Sequence, residues 1–509
     1  MNFFHLVDGT NLLGYDAAKH VALMSYNPPR FLLKRNTTIA LPLIEELEGN
    51  LDPQDAFLCL YEGCDYSFWL DSGMDKTKLG RYSFIGDDPF LVMTSHGEEI
   101  TLDENGRKKM FRGNPFSELY QLLNRYRTIN TNLPVPFGGG AVGYFSYDLC
   151  HFIEKLPSRA EGDIKLPECF FAFYDIIVAF DHLEGKTFVV SSGFPETDQK
   201  KRARHAAIRL NNVKKRLEAM IPTLKIERVE ESAGARVSAN FSHQKYIEAV
   251  EKARHYIIEG DIFEVNLSQR FQTQFKLEPL TLHRRLRQIN PAPFACFLKF
   301  KEQALVSASP ERFLRVRGDK VETRPIKGTR PRGTTSAEDE VLAEELLKSV
   351  KDRAENMMIV DLSRNDLGRV CRYGTVKVSE LAVLEEYPTV FHLTSTIEGK
   401  LHKEKDWLDA VRAAFPGGSI TGAPKIRSME IIDEIEPTRR SVYTGNIGYI
   451  GFNGDIDLNI AIRTFIIDGE DVCFQVGGAI TYDSEADKEY NETLDKAKAL
   501  FMALGIERR

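Results

Sequence analysis

Two short segments of the chain gather side chains that could move protons and form a bond to carbon. Ser309-Pro310-Glu311-Arg312-Phe313 is followed by Thr323-Arg324-Pro325-Ile326-Lys327-Gly328-Thr329-Arg330-Pro331-Arg332-Gly333. The prolines and glycines dictate an extended, turning backbone. A lysine among Arg324, Arg330 and Arg332 is disfavoured as a cation, which predicts a lowered pKa for Lys327 and a usable nucleophile. Glu311 is a candidate general acid if burial raises its pKa toward neutrality. Composition alone favours a plainer reading, a basic surface turn beside an exposed glutamate.

Carboxylates form a second constellation. Asp352 and Glu355 lie three apart and share a face if their segment is helical. One or two carboxylates together with substrate oxygens are how Mg²⁺ is commonly held. Near the C-terminus, Glu485, Glu489, Glu492 and Lys496 form a charged stripe opposite Tyr490, Leu494, Ala497 and Phe501. Periodicity reads that stripe as the solvated face of an amphipathic helix.

Two glycine-rich loops invite nucleotide readings. Gly138-Gly139-Gly140-Ala141-Val142-Gly143 matches G-x-G-x-x-G but follows Pro134-Val135-Pro136-Phe137, not a clear strand, and no helix or ribose-binding acid follows. Gly417-Gly418-Ser419-Ile420-Thr421-Gly422-Ala423-Pro424-Lys425 has P-loop glycine spacing with Ala-Pro where Lys-Ser/Thr is required. Backbone amides in such loops still suit a carboxylate, which keeps a small dianionic substrate in play.

The elements that must position these groups read as α+β. Phe57 to Tyr61, Phe170 to Phe180 and Thr187 to Ser191 are predicted strands. A helix is predicted from about His243 to Glu259, capped by Ser242 and stopped by Gly260. Another carries Ala203, Ala207, Leu210, Val213, Leu217 and Met220 on its apolar side. The polar stretch after it suggests a boundary near residue 230, dividing the chain into 1–230 and 231–509. A net charge of −7 over 509 residues provides no basic field for nucleic acid or anionic lipid. Seven scattered cysteines, without a C-x-x-C pair, indicate reduced thiols in a cytoplasmic protein. No signal peptide and no membrane span are read.

Taken in order, several segments resemble the chorismate-binding family, which includes the large subunits of anthranilate synthase and aminodeoxychorismate synthase, isochorismate synthases and salicylate synthases. They are Gly260 to Arg270, Ser309 to Phe313, the Lys327 segment, Asp352 to Asp366, His392, Pro416 to Lys425, Gly445 to Tyr449, Ile462-Arg463-Thr464, and Gly477-Gly478 before the final acidic helix. The resemblance implies a large, layered, mostly antiparallel β structure flanked by helices. It also implies Mg²⁺ held by Glu355 and Glu492, and chorismate held by His392, Ser419, Tyr449, Arg463, Gly477, Gly478 and Lys496. Ser72, Leu79, Gly80, Arg81 and Tyr82, with Pro293, Phe294 and Ala295, are similar to family segments that line a tryptophan pocket.

Lys327 discriminates within the family. The branch that aminates chorismate at C4, toward p-aminobenzoate and folate, typically reads Pro-Ile-Lys-Gly-Thr, where anthranilate synthases typically have alanine in place of lysine. The implied chemistry is attack of Lys327 at C2, protonation of the departing C4 hydroxyl by Glu311, and displacement of the lysine by ammonia at C4. No Gly-x-Cys-x-Gly turn surrounds any cysteine, so a separate glutamine amidotransferase subunit is the expected ammonia source. Glu264 departs from the family: amine-transferring members usually carry glutamine there, and isochorismate synthases the lysine base. The rivals are an anthranilate synthase large subunit and a tryptophan-binding homologue without catalysis.

Overall fold

The apolar run from Phe170 to Phe180 folds as two strands, Cys169–Tyr174 and Ile176–Asp181, that break at Asp175. Alternate residues serve different cores: Phe171 and Phe173 join one, whereas Phe170, Ala172 and Tyr174 join another. Ile176, Val178 and Phe180 likewise part company with Ile177 and Ala179. A strand buried on both faces needs apolar residues at every position, which is why no alternation shows in the sequence.

The computed structural model describes residues 41–49, 51–73, 78–128, 133–219, 237–387 and 390–506, which lie in one compact unit. Their strands form two twelve-stranded sheets. The named strand pairs run antiparallel, as at Glu264–Gln274 with Asp471–Ile480 and at Lys320–Arg324 with Val390–Lys400. Phe68, Phe84 and Phe300 of one sheet pack against Tyr144, Phe170 and Tyr449 of the other, so the sheets lie face to face. Helices Pro53–Tyr61, Gln199–Glu218, Pro279–Ile289 and Ala486–Ala503 cover the outside of the first sheet. Pro115–Arg125, Val350–Gly368 and Trp407–Ala414 cover the outside of the second. The fold is α+β, layered and antiparallel, as expected.

Each sheet draws strands from both sides of the boundary expected near residue 230, a position that lies outside the described residues. In the first sheet Trp69 pairs with Phe297, and in the second Gly143 pairs with Gly448. Strand Gly140–Phe145, flanked by strands Cys169–Tyr174 and Asn446–Gly451, explains the G-x-G-x-x-G match. Gly140 and Gly143 lie on strand Gly140–Phe145, and a Cβ on either would collide with a neighbouring backbone, at the Ile450 carbonyl and the Phe170 carbonyl respectively. The glycines serve close strand approach. Gly143→Ala is expected to cost about 1–3 kcal/mol, as overpacking does, and to lower the melting temperature in scanning calorimetry. An unchanged melting temperature would contradict this reading.

Two sequence expectations are corrected. Phe57 to Tyr61 is helical, within Pro53–Tyr61, because Asp52 caps the Gln54 amide at 2.8 Å and Pro53 occupies the first turn. Helix Gln199–Glu218 buries Arg202 and Ala206, not Ala203 and Ala207, ahead of Leu210, Val213 and Leu217. The Arg202 guanidinium lies over the Phe194 ring, 3.8 Å from its centroid, so a basic residue extends the buried stripe. Met220 lies outside the described residues. Helix His243–Ile258 forms as expected, with Ser242 capping the Lys245 amide at 3.3 Å and Gly260 in a left-handed conformation.

Candidate active site

The chain crosses from the first sheet to the second at Pro310-Glu311, between strands Gln303–Ser309 and Arg312–Arg317. It returns through Ile460 to Arg463, between Ile456–Asn459 and Thr464–Asp468. Backbone bonds hold the two crossings side by side: Ile460 N–H donates to the Glu311 carbonyl at 3.0 Å, and Ala308 N–H to the Arg463 carbonyl at 3.1 Å. The Ser309 hydroxyl adds a bond to the Ile460 carbonyl at 2.6 Å. Glu311 and Arg463 therefore meet although they are far apart in sequence.

Glu311 is 3% exposed and accepts from the Ser419 hydroxyl at 2.6 Å and the Ile326 amide at 3.3 Å. Burial pushes its pKa up to about 7, against those two bonds and the charges of Lys327 and Arg463. A carboxyl poised near neutrality can donate a proton to a departing oxygen. Ser419 sits in the short turn Gly418–Ile420, so the loop with P-loop spacing presents a hydroxyl to this acid.

Lys327, on strand Ile326–Pro331, is 7% exposed and reaches across to Glu264, the first residue of strand Glu264–Gln274 in the other sheet. The Nζ to Oε1 distance is 2.5 Å. The expected lowering of the lysine pKa is overturned. Burial opposes the charge, but Glu264, Glu355 and Glu311 outweigh it and hold Lys327 above the ordinary lysine value. The neighbouring arginines are engaged elsewhere: Arg324 with Glu385 at 2.7 Å, Arg330 with Asp352 at 3.0 Å, and Arg332 Nε with Asp339 at 2.9 Å. Proximity along the chain misjudged the field, because the lysine faces carboxylates contributed by other elements.

Two helices bring carboxylates to this site. Val350–Gly368 packs on the Lys327 strand and brings Glu355, whose pKa burial raises to about 7 with Glu264 adding to the effect. Ala486–Ala503 packs on strand Asp471–Ile480 and brings Glu489, Glu492 and Lys496. The expectation of a wholly solvated charged face is corrected at Glu489, which is buried, accepts from Ser484 Oγ at 2.6 Å and has its other oxygen without a partner. Nothing in the helical periodicity sets Glu489 apart from Glu485 and Glu492; its position against Gly478 does.

These residues fit a divalent cation. A Cβ on Gly478 would lie 3.4 Å from Glu489 Oε2 and 3.5 Å from Glu492 Oε1, so the glycine leaves room between strand and carboxylates. The Lys351 ammonium lies 3.9 Å from Glu355 and 4.0 Å from Glu489, a cation already drawn to the space they share. Among the described residues no three such side chains converge as a ready-made metal cage. Mg²⁺ is commonly held by one or two carboxylates, with water and substrate oxygens completing its shell.

Arg463 has a positive φ of 51°, and its half-buried guanidinium has no hydrogen bond or ion pair among the described residues. A left-handed arginine with free donors beside Glu311 has the chemistry to receive a carboxylate. His392 is buried, with Nδ1 2.9 Å from Thr329 Oγ1 and Nε2 without a partner. Burial, with help from Arg463, lowers its pKa to about 3, so it is a neutral hydrogen-bonding group. Lys496 pairs with Glu492 at 2.7 Å and donates to the Gly477 carbonyl at 2.9 Å.

Tyr449 is placed elsewhere, which corrects its assignment beside Arg463. Its side chain points between the sheets and stacks on Phe137 at 4.4 Å. There it lines a cavity of about 290 Å³ together with Ser72, Leu79, Arg81, Tyr82, Pro293, Phe294 and Ala295. The expected tryptophan-pocket residues are thus gathered, with Gly80 buried between Leu79 and Arg81. Arg81 is anchored on Asp181 at 2.7 Å, and Ser72 Oγ donates to the Tyr82 carbonyl at 2.6 Å.

Residues 66–502 match the family model described as chorismate binding enzyme. The chain belongs to the chorismate-binding enzymes. This chorismate-binding enzyme is 38% identical to anthranilate synthase component 1 of Acetivibrio thermocellus, over 91% of the chain and 95% of that relative. It is 37% identical to aminodeoxychorismate synthase component 1 of Bacillus subtilis, over 89% of the chain and 95% of that relative. Identities so close leave the product to individual residues. Among solved structures, anthranilate synthase component I from Streptococcus pneumoniae superposes with a TM-score of 0.73 at 34% identity, covering 82% of the chain and 92% of that structure.

Proposed function

We propose that the chain converts chorismate and ammonia to 4-amino-4-deoxychorismate through a covalent bond to Lys327. The observation that carries this reading is a buried lysine, at the position typical of the C4-aminating branch, among Glu264, Glu311 and Glu355. Arg463 binds a substrate carboxylate, with His392 offering its free Nε2 to a hydroxyl. Glu355 and Glu492, with Glu489 beside them, would hold Mg²⁺, which would supply charge neutralisation at the ring carboxylate.

Lys327, as the free amine, bonds to C2 while the ring double bonds shift and the C4–O bond breaks. Glu311 gives its proton to the departing oxygen, which leaves as water. Ammonia then bonds to C4, the double bonds shift back, and the C2–N bond breaks to return Lys327. The enolpyruvyl group stays on the ring, so a lyase must act next. A separate glutamine amidotransferase subunit supplies ammonia in the cytoplasm.

Formation of anthranilate is favoured by one observation, the 290 Å³ cavity lined by the tryptophan-type segments. Lys327 opposes it, because direct amination at C2 leaves that side chain without a task. The test is peptide mass mapping of enzyme quenched with chorismate and Mg²⁺ in the absence of ammonium. An adduct on Lys327 is expected, and an adduct on any other residue would overturn the assignment.

Arg463→Lys provides a further check. The substitution keeps a charge but loses the planar fork, so KM for chorismate is expected to rise about 10- to 100-fold in steady-state assays, with a smaller change in kcat. An unchanged KM would remove Arg463 from substrate binding.

A further inference from the structure

A lysine cannot attack carbon as an ammonium, and Lys327 is surrounded by groups that favour its charge. Some group must take a proton from Nζ before the C2 bond forms and restore it when the lysine leaves. Of the surrounding groups, Arg463, Lys351 and Lys496 are cations. His392 is neutral, and its low pKa makes it a poor base. Asp352 is paired with Arg330 at 3.0 Å. Glu311 must hold its own proton for the C4 oxygen, and Glu355 lies with the carboxylates that suit Mg²⁺.

Glu264 remains, and its geometry fits. Its Oε1 is 2.5 Å from Lys327 Nζ, the residue is wholly buried, and Oε2 has no partner. The backbone around it is fixed by pairing with Ala423, by Phe263 N–H on the Ala423 carbonyl at 2.7 Å, and by Asn266 N–H on the Thr421 carbonyl at 2.9 Å. A carboxylate anchored on one sheet therefore meets a lysine anchored on the other.

Resting on the lysyl reading above, we propose that Glu264 is the proton acceptor that converts Lys327 into a nucleophile and reprotonates it after turnover. The Lys327 ammonium gives one proton to the Glu264 carboxylate, and the neutral amine bonds to C2. The resulting secondary ammonium is already a competent leaving group when ammonia bonds to C4. As the C2–N bond breaks, the electron pair returns to nitrogen and Glu264 gives the proton back. The new C4 ammonium can then surrender a proton to Glu311. Two buried glutamates divide the work, Glu311 serving oxygen and Glu264 serving nitrogen.

The test follows adduct formation on Lys327 by rapid quench and mass spectrometry, using the full chain with chorismate and Mg²⁺ and no ammonium. In the wild type the rate is expected to stay flat from mildly acidic pH up to about 7, the range in which Glu311 keeps its proton, because the Lys327 proton moves within the site. In Glu264→Gln it is expected to fall about 100-fold near neutrality and to climb about tenfold per pH unit over that same range, since the lysine must lose its proton to solvent. Glu264→Asp, which retains a carboxylate, is expected to recover part of the rate and decides the matter alone if the glutamine variant does not fold.

A glutamine variant as fast as the wild type, or faster because the lysine is less firmly protonated, would overturn the proposal. So would an aspartate variant no faster than the glutamine one, or one as fast as the wild type if it stands alone. Absence of any Lys327 adduct in the wild type would instead overturn the lysyl reading on which it rests.

Discussion

Lys327→Ala is expected to reduce formation of 4-amino-4-deoxychorismate by about 1000-fold or more, the scale on which loss of a covalent nucleophile acts. Alanine removes the only atom that can bond to C2 in the proposed route. It also leaves Glu264 buried without its cation, and breaking a buried pair in this way costs about 3–5 kcal/mol of stability. The two effects must be separated. The double substitution Lys327→Ala with Glu264→Gln removes both charges and is expected to recover most of the lost stability in denaturant unfolding, without recovering activity. Activity returning with stability would mean that Lys327 holds the site together and does no chemistry. Any residual product is expected to be anthranilate, from direct attack of ammonia at C2.

Glu311→Gln has the next largest effect, a fall of about 100- to 10,000-fold in kcat, the range for loss of a positioned general acid. The amide keeps the shape and can still accept from Ser419 and Ile326, but it has no acid proton for the C4 oxygen. The pH dependence fixes the role. With a pKa of about 7, Glu311 is protonated below neutrality and loses that proton as pH rises, so wild-type kcat is expected to decline on the alkaline side of about pH 7. The variant should lack that limb. Stability carries the opposite signature. A folded-state pKa above the ordinary 4.5 means that folding is progressively disfavoured as pH rises from 4.5 to about 7, and glutamine escapes that loss. The variant should therefore gain stability relative to wild type across that window. A variant with normal kcat and an intact alkaline limb would remove Glu311 from the mechanism.

The physical reasons for what was legible in the sequence are uneven. Helix His243–Ile258 carries its own cap and stop, and local signals of that kind survive tertiary context. Glu311 could be nominated only on the condition of burial, and that burial comes from its place at a crossover between two sheets, which no local pattern encodes. Lys327 shows the limit most clearly. The arginines beside it in sequence point to other partners, while Glu264, Glu355 and Glu311 arrive from three separate elements and reverse the expected shift. Tyr449 failed for a geometric reason: on strand Asn446–Gly451 its side chain faces the space between the sheets. Glu489 was hidden because a helix that packs against a site looks, in periodicity, like one that packs against water.

The same limit bears on the glycine motifs. Gly143 carries no information about ligands; it marks where strand Gly140–Phe145 approaches the Phe170 carbonyl of the neighbouring strand too closely for a side chain. Ser419 sits in a loop that resembles a phosphate cradle and serves a carboxyl instead. In both places the spacing was right and its purpose lay in contacts distant in sequence.

The most direct test of the central claim is to identify what the purified chain makes from chorismate, Mg²⁺ and ammonium, by chromatography and mass spectrometry. The expected product is 4-amino-4-deoxychorismate, with the enolpyruvyl group retained and no pyruvate released. Anthranilate together with an equal amount of pyruvate would contradict the account, and would leave Lys327 as a structural partner of Glu264.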